Sequence, residues 1–428
     1  MLPLRFCMIT TFYPPYAFGG DAIFVHRLSN MLARHGHEVE VIHCVDSYRS
    51  MAESLPLTEY PNEPGVTVHG LVSGVGIFSP FATYQTGYPL FKGRSLHQIL
   101  ETKRFDVIHF HNISLIGGPM VLRYGTGVKL YTLHEHWLFC PTHVLFKFNR
   151  EACVKPSCLR CLLSFRRPPQ LWRYTPMLAA ALRHVDAFLA PSEFTLQRHR
   201  AAGLDIPLIH LPPFVNESAQ EKMLGGDAKV SALPPRPFFL FVGRLEKLKG
   251  LQTLIPVFRD YAHASLLVAG DGTYAEPLKQ LAAGNERVHF LGQLTPSQLR
   301  CVYARAIALL VPSLTFETFG QVIIEAFASH TPVIVRDLGP LPEIVAESGG
   351  GFIYRDTSGL LEAMARLQSD PATRNACGEA GYRAYRMQWA EEVHYKHYIQ
   401  LIAELQARKR ESVLSSDGRG RAQLERHQ

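Results

Sequence analysis

The chain has 428 residues, 47% of them hydrophobic and 19% charged, with eight cysteines and a formal net charge of +7. This composition is typical of a globular protein of about two domains and excludes a disordered chain. No run reaches the roughly 18 to 20 apolar residues of a membrane helix, and no basic arm predicts nucleic-acid binding. The N-terminus does not match a signal peptide, so we expect a cytoplasmic protein.

The first half of the chain alternates short apolar runs with helical stretches. A strand over 4–10 precedes the loop TFYPPYAFGGDA and a helix over 23–35. The remaining strands of this half are predicted at 37–44, 66–71, 105–110, 128–133, 187–190 and 206–211. Such alternation is typical of a parallel sheet with helices on both faces. We therefore predict a Rossmann-like N-terminal domain over 1–215.

The alternation pauses and then restarts in the second half. Residues 216–235 are polar, carry glycine and proline, and are interpreted as an interdomain linker. Apolar runs from PFFLFVG to GGFIY predict a second doubly wound domain over 236–385. A helix is expected over 386–405, with packing against the N-terminal domain as one option. The basic segment 406–428 is expected to be a disordered tail, with contact to an anionic membrane as the alternative. The predicted fold class is thus α/β, with two such domains facing across a cleft.

Ligands of open parallel sheets bind beyond the carboxyl ends of the strands. The loop GRLEKLKG places Arg244 and Lys249 at one such end. A fork of guanidinium donors and an ammonium group together are typical of a pyrophosphate site. The loop PSLTFETFG places Glu317 at another strand end, and the helix that follows carries Glu325 about two turns further on. The N–H groups at the start of that helix suit a phosphate.

Several motifs together carry a family resemblance. The order GRL, LKG, VAGDG, VHFLGQL and PSLTFETFGQVIIEAFASHTPVI resembles the C-terminal domain of retaining nucleotide-sugar glycosyltransferases of the GT-B fold, family 4 (group 1). Glu317 and Glu325 have the Glu-x7-Glu spacing of that family, and the Gly19–Gly20 loop and DVIHFH resemble its first domain. Thr318 departs from the proline or glycine usual at that place, although Gly320 is retained.

The resemblance implies a hexosyltransferase-type enzyme. It would move a sugar from a nucleotide sugar to a glycan or lipid-linked acceptor, with retention of configuration and without a metal. Synthesis of cell-surface polysaccharide or glycolipid is the implied setting. The catalytic residues implied are His111, near the reacting sugar, and Glu317, on the sugar hydroxyls. The donor-binding residues implied are Gly19, Gly20, Arg244, Lys249, Phe319, Gly320 and Glu325.

Some of these residues also have a purely structural interpretation, and the chain also has alternative functions. Gly19 and Gly20 also fit an ordinary flexible turn, and His111 also fits a buried structural histidine. A non-catalytic nucleotide-sugar-binding or scaffold protein is the alternative function of a different class. A dinucleotide-dependent oxidoreductase is a third hypothesis, but neither glycine loop supplies the G-x-G-x-x-G turn that it requires.

Four of the cysteines fall within one short insertion, which we place at about 134–165. They are Cys140, Cys153, Cys158 and Cys161. Four thiolates with one C-x-x-C spacing fit a structural zinc site, while reduced or redox-active thiols are the competing hypothesis. His134 and Glu135, at the start of the insertion, either line the cleft or form a structural pair.

The segment LLSFRRPPQLWRY, just after the cysteines, mixes arginines with aromatic residues. Such a patch either rests on an anionic membrane at its inner face or forms a solvated helix start with partly buried rings. No cofactor beyond the donor substrate is expected for catalysis.

Overall fold

The computed structural model describes residues 2–52, 60–216 and 237–424. Two parallel sheets organise these residues, one in each half of the chain, which confirms the predicted fold class. Apart from Asn216, the predicted linker over 216–235 lies outside the described residues. Within the described ranges, no helix combines the length and the apolar character needed to cross a membrane.

The N-terminal sheet has seven strands, all paired in parallel in the order β3-β2-β1-β4-β5-β8-β9. A small antiparallel hairpin, β6-β7, lies apart from it in the cysteine segment. In chain order the strands are β1 (Arg5–Ile9), β2 (Glu38–Cys44), β3 (Val66–Leu71), β4 (Val107–Phe110), β5 (Val128–Thr132), β6 (Phe146–Lys147), β7 (Glu151–Ala152), β8 (Ala187–Ala190) and β9 (Leu208–His210).

The C-terminal sheet has six parallel strands in the order β12-β11-β10-β13-β14-β15. Alternate side chains of its central strand enter different cores: Leu240 packs on one face, and Phe239 and Phe241 pack on the other. Its strands are β10 (Phe238–Val242), β11 (Ser265–Ala269), β12 (Val288–Gly292), β13 (Leu309–Val311), β14 (Val333–Arg336) and β15 (Gly351–Tyr354).

Helices cover both faces of each sheet. Those of the N-terminal half are α1 (Gly20–Arg34), α2 (Val45–Arg49), α3 (Phe78–Thr86), α4 (Gly93–Thr102), α5 (Cys158–Ser164), α6 (Met177–Leu182) and α7 (Glu193–Ala201). Those of the C-terminal half are α8 (Val257–Asp260), α9 (Ala275–Leu281), α10 (Pro296–Arg305), α11 (Gln321–Phe327), α12 (Leu341–Ser348), α13 (Thr357–Ser369), α14 (Pro371–Ala384) and α15 (Glu391–Leu424).

The last helix returns to the N-terminal domain. After a π-helical turn over Tyr385–Trp389, the N–H of Val215 donates to the Trp389 carbonyl at 3.1 Å. Tyr398 and Ile402 of α15 are then buried in the core of the N-terminal sheet. This helix continues to Leu424, so the expectation of a disordered tail from residue 406 is wrong for that stretch. Polar composition alone did not reveal it, because the helix extends from a segment anchored by apolar packing.

The strand order of each sheet reverses at one point. This point lies between β1 and β4 in the N-terminal sheet and between β10 and β13 in the C-terminal sheet. In doubly wound sheets the loops at this point part to opposite faces and leave a crevice beyond the carboxyl ends of the strands. Here the two crevices face each other and form one cleft of about 1800 Å³ lined by both domains. The fold therefore brings the loops after these four strands together.

Candidate active site

The glycine loop after β1 lies against the loops of the opposite domain. A Cβ built on Gly19 would stand 3.3 Å from Nε of Arg244, and one on Gly20 would stand 2.7 Å from the side-chain oxygen of Gln321. Gly19 has φ of +85°, a conformation that L residues rarely adopt. The absence of side chains thus lets the N-terminal backbone approach Arg244 and the start of α11.

Lys249 and Glu317 form an ion pair on the C-terminal wall of the cleft. The ammonium of Lys249 donates to both carboxylate oxygens of Glu317, at 3.0 and 2.9 Å, and Ser313 donates a further hydrogen bond. Burial alone would raise the pKa of Glu317, but Lys249, Ser313 and Arg244 together hold that pKa below its usual value. Glu317 is therefore a fixed, ionised acceptor of hydrogen bonds.

Arg244 is nearly half exposed and pairs with Glu246 of its own loop at 2.9 Å. The guanidinium lies beside Gly19, and its charge contributes to the lowered pKa of Glu317. Arg244 and Lys249 thus present two positive groups to the same part of the cleft.

Glu325 on α11 meets a residue of the N-terminal domain. Nη2 of Arg27 donates to Oε1 of Glu325 at 2.9 Å, and the Tyr303 hydroxyl lies 3.4 Å from Oε2. The other terminal nitrogen of Arg27 is buried without a partner among the described residues. Sequence patterns did not identify Arg27, although Gly20, Phe24 and Arg27 recur at helical spacing and all line the cleft.

The loop before α11 is bonded to the N-terminal domain. The Thr318 hydroxyl donates to the His134 carbonyl at 3.0 Å, and the Thr318 carbonyl accepts from Ser192 and Thr195 at 2.7 and 2.8 Å. Threonine, where proline or glycine was expected, therefore supplies a contact between the two domains. Three hydrogen bonds of Thr318, in the loop that carries Glu317, therefore connect the two domains.

Three histidines of the N-terminal domain form a chain of contacts beside the cleft, with ring centroids 4.0 Å apart for His109 and His111 and 5.2 Å apart for His111 and His134. Buried His109 bonds to Thr132 and Tyr398 at 2.7 and 2.8 Å, and His111 bonds to His134 at 2.9 Å. His109 and His134 line the cleft, whereas His111 does not, and the Nε2 of His111 is unpartnered in the described structure. Burial lowers the pKa of His134 to about 3, and burial with the neighbouring histidines lowers that of His111 strongly. All three rings are therefore neutral near pH 7.

Glu135 also lines the cleft. One of its oxygens pairs with His143 at 2.9 Å, while Oε1 is buried without a partner among the described residues. A buried acceptor without a partner is costly in free energy, so this oxygen is suited to a ligand hydroxyl. The structure thus brings His134 and Glu135 to the cleft, which was one of their two interpretations.

Comparison with known proteins identifies the chain. Residues 18–219 match the family model "Glycosyltransferase Family 4", and residues 227–384 match "Glycosyl transferases group 1". A glycogen synthase of Mycobacterium tuberculosis is 34% identical over 393 residues, which span 86% of this chain and 87% of that protein. The chain belongs to the group 1, family 4 glycosyltransferases.

Two further comparisons bear on this glycosyltransferase. A GDP-mannose-dependent phosphatidylinositol monomannoside mannosyltransferase of M. tuberculosis is 28% identical over 241 residues, 51% of this chain and 63% of that protein. The sucrose-phosphate synthase structure of Thermosynechococcus elongatus superposes with a TM-score of 0.73 at 22% identity, covering 94% of this chain and 99% of that one. The second likeness confirms the GT-B fold, and family membership selects a transferase over an oxidoreductase.

The four clustered cysteines of the glycosyltransferase surround one small cavity of about 20 Å³ beside the β6-β7 hairpin, and all four are free thiols. Within the described ranges, no group of three or more potential ligands has the arrangement of a metal site, so structural zinc is not supported. Burial and the neighbouring thiols raise the pKa values of Cys153 and Cys158.

Proposed function

We propose that this glycosyltransferase moves a sugar from a nucleoside diphosphate sugar to a glycan or lipid-linked acceptor, with retention of the anomeric configuration. The observation that carries the proposal is the convergence of Arg244, Lys249 and Glu317 opposite Gly19 and Gly20 at the point where both sheets reverse. Two cations facing a backbone without side chains fit a diphosphate, and a fixed carboxylate beside them fits sugar hydroxyls.

The donor diphosphate would bind between the glycine loop and the opposite wall. Arg244 would donate a fork of hydrogen bonds, and Lys249 would share its ammonium between Glu317 and a phosphate oxygen. Backbone N–H groups of Phe319 and Gly320 would add donors. These groups stabilise the negative charge that grows on the departing nucleotide, and so take the part of a metal ion in our proposal.

The two glutamates would fix the rest of the donor. Glu317, held ionised by its neighbours, would accept hydrogen bonds from the sugar hydroxyls. Glu325 would accept from the ribose diol, which would either share the carboxylate with Arg27 or displace it.

Transfer would then proceed on one face of the sugar. The bond from the anomeric carbon to the phosphate oxygen breaks, the acceptor oxygen bonds to the same face, and the phosphate oxygen takes the acceptor proton. Neutral His134 and the unpartnered oxygen of Glu135 would orient the sugar and the acceptor. His111 would act through His134, to which it is hydrogen-bonded at 2.9 Å.

The class of acceptor is inferred from the names of two relatives. Glycogen and phosphatidylinositol monomannoside appear in the names of two relatives, one a glycan and the other a glycolipid. Both names are compatible with polysaccharide or glycolipid synthesis by this chain.

The test is the stereochemistry of the product. Nuclear magnetic resonance of the anomeric proton would follow transfer from the nucleotide sugar that the protein binds, with and without excess EDTA. Retention in both conditions is expected. Inversion would contradict the proposed mechanism, loss of turnover with EDTA would contradict metal independence, and donor binding without any transfer or hydrolysis would favour the scaffold alternative.

A further inference from the structure

The N-terminal domain carries a concentration of exposed apolar side chains. Thirteen of the nineteen large hydrophobic residues exposed in the described ranges fall within 72–91 and 154–174. Phe78, Phe81 and Leu171 are 68%, 55% and 69% exposed, although aromatic and leucine side chains each stabilise by burial. A concentration of this kind marks an interaction surface rather than ordinary surface variation.

The two segments form one continuous face, which we call the apolar face. The Tyr84 carbonyl on α3 accepts from the indole of Trp172 at 3.0 Å, and the Tyr84 hydroxyl donates to the Pro168 carbonyl at 3.1 Å. The turn before α4 is fixed to the start of α3, because buried Lys92 bonds to Ser79 and pairs with Asp46 at 3.0 Å. Its exposed rings are therefore held in place by buried polar contacts.

The exposed charged residues of the two segments are all basic. Residues 64–100 and 152–185 contain eight lysines and arginines and no aspartate or glutamate, and six of these basic residues are exposed. Arg94, Arg160, Arg166 and Arg167 are exposed, and the salt bridges of the described residues include none of them. Free guanidinium groups around exposed rings complement a surface that is apolar within and anionic at its boundary.

The apolar face reaches the mouth of the cleft. Ile77, Phe81, Phe165 and Arg167 belong to both, since they line the cleft between the two domains. A surface that held the apolar face would therefore lie beside the opening through which an acceptor enters.

We propose that the apolar face docks on an anionic phospholipid bilayer and that the acceptor is presented to the cleft from that bilayer. Exposed aromatic and aliphatic side chains enter the boundary between head groups and acyl chains, while the arginines meet lipid phosphates. The lack of acidic residues on both segments favours this occupant over a protein of mixed surface charge. The statement about the acceptor rests on the proposed function, whereas docking on the bilayer is inferred from the exposed residues of the apolar face alone.

The experiment is sedimentation of the full chain with vesicles of phosphatidylcholine alone or of phosphatidylcholine with phosphatidylglycerol. Binding is expected only with phosphatidylglycerol, and it weakens as salt increases. The double variant R94Q/R166Q should weaken partitioning about 25-fold, from about fivefold per lost charge. The double variant F78S/F91S should weaken it about tenfold, because two rings no longer enter the bilayer.

Matched controls lie on the C-terminal domain. L361S/M387S removes two exposed apolar side chains there, and K279Q/R383Q removes two exposed charges, so both should partition like the parent protein. All variants should keep parental donor binding, measured by calorimetry without vesicles. Loss of donor binding in the parent protein would count against the proposed function and not against docking.

Three results would overturn the docking proposal. The first is no vesicle binding by parent protein that binds donor normally. The second is an equal loss in the control variants. The third is a dimer, seen by sedimentation velocity, that F78S/F91S dissociates while vesicle binding stays unchanged, since the apolar face would then be a protein interface.

Discussion

Arg27 and Glu325 join the two domains across the cleft through a contact of 2.9 Å. The pair is largely shielded from solvent. Nη1 of Arg27, the nitrogen that does not contact Glu325, is buried without a partner among the described residues. A ligand that binds Glu325 therefore meets a carboxylate already oriented by the opposite domain.

The first prediction separates the roles of these two residues. Arg27→Met should leave donor affinity unchanged or raise it, because the ribose no longer competes with a guanidinium. Adding Glu325→Ala in that background should lower donor affinity about tenfold to a hundredfold, from the loss of charge-assisted hydrogen bonds. Titration calorimetry measures both. If Arg27→Met alone lowers affinity as much, Arg27 and not Glu325 holds the donor.

The second prediction concerns pH. In the parent protein, the lowered pKa of Glu317 means that its ion pair stabilises the fold above the ordinary carboxyl pKa of about 4.3 and is lost as pH falls through the lowered value. Lys249→Met removes the charge that counteracts the effect of burial on the pKa of Glu317. That pKa should therefore rise, and the acidic limb of kcat should move to higher pH. We also expect kcat at pH 7 to fall about a hundredfold.

The matched control for Lys249 is Lys279→Met, which removes an exposed lysine on α9 that does not line the cleft. It should keep the parental pH profile. An acidic limb that stays in place in Lys249→Met would show that Glu317 does not govern it.

The third prediction uses two glycines of similar conformation. Gly19 and Gly36 have φ of +85° and +82°, but a Cβ on Gly36 meets nothing within 4 Å, whereas one on Gly19 meets Arg244. Alanine at either position should lower the free energy of unfolding by about 1–2 kcal/mol. Only Gly19→Ala should also weaken donor binding. Equal donor affinity in the two variants would remove the glycine loop from the donor site.

The fourth prediction concerns the histidine chain. Because the pKa values of His134 and His111 lie well below their usual range, neither ring should contribute a limb to kcat between about pH 5 and 8. His134→Ala should lower kcat more than His111→Ala, since His134 lines the cleft and His111 does not. A limb near pH 6.5 that disappears in His134→Ala would contradict this account.

Particular residues show what the sequence can predict here. The strands were predictable because each is a short apolar run between turns, and the Arg244, Lys249, Glu317 and Glu325 positions follow from their places after strands. The contact of Arg27 with Glu325 was not predictable, because it depends on how the two domains pack. The place of His134 at the cleft in front of His111 depends on the course of the loop after β5, which an apolar strand pattern does not specify. The length of α15 was hidden for a related reason, since its N-terminal part is fixed by the core of the other domain.

The most direct test of the central claim is donor binding by the full chain. Melting temperatures would be measured with a panel of UDP-, GDP- and ADP-sugars, for the parent protein and for the double variant R244M/K249M. At least one nucleotide sugar should stabilise the parent, by about 2.7 kcal/mol at a hundred times its Kd, and should not stabilise the variant. If no nucleotide sugar stabilises the parent, or if one stabilises both equally, the proposed donor site is wrong.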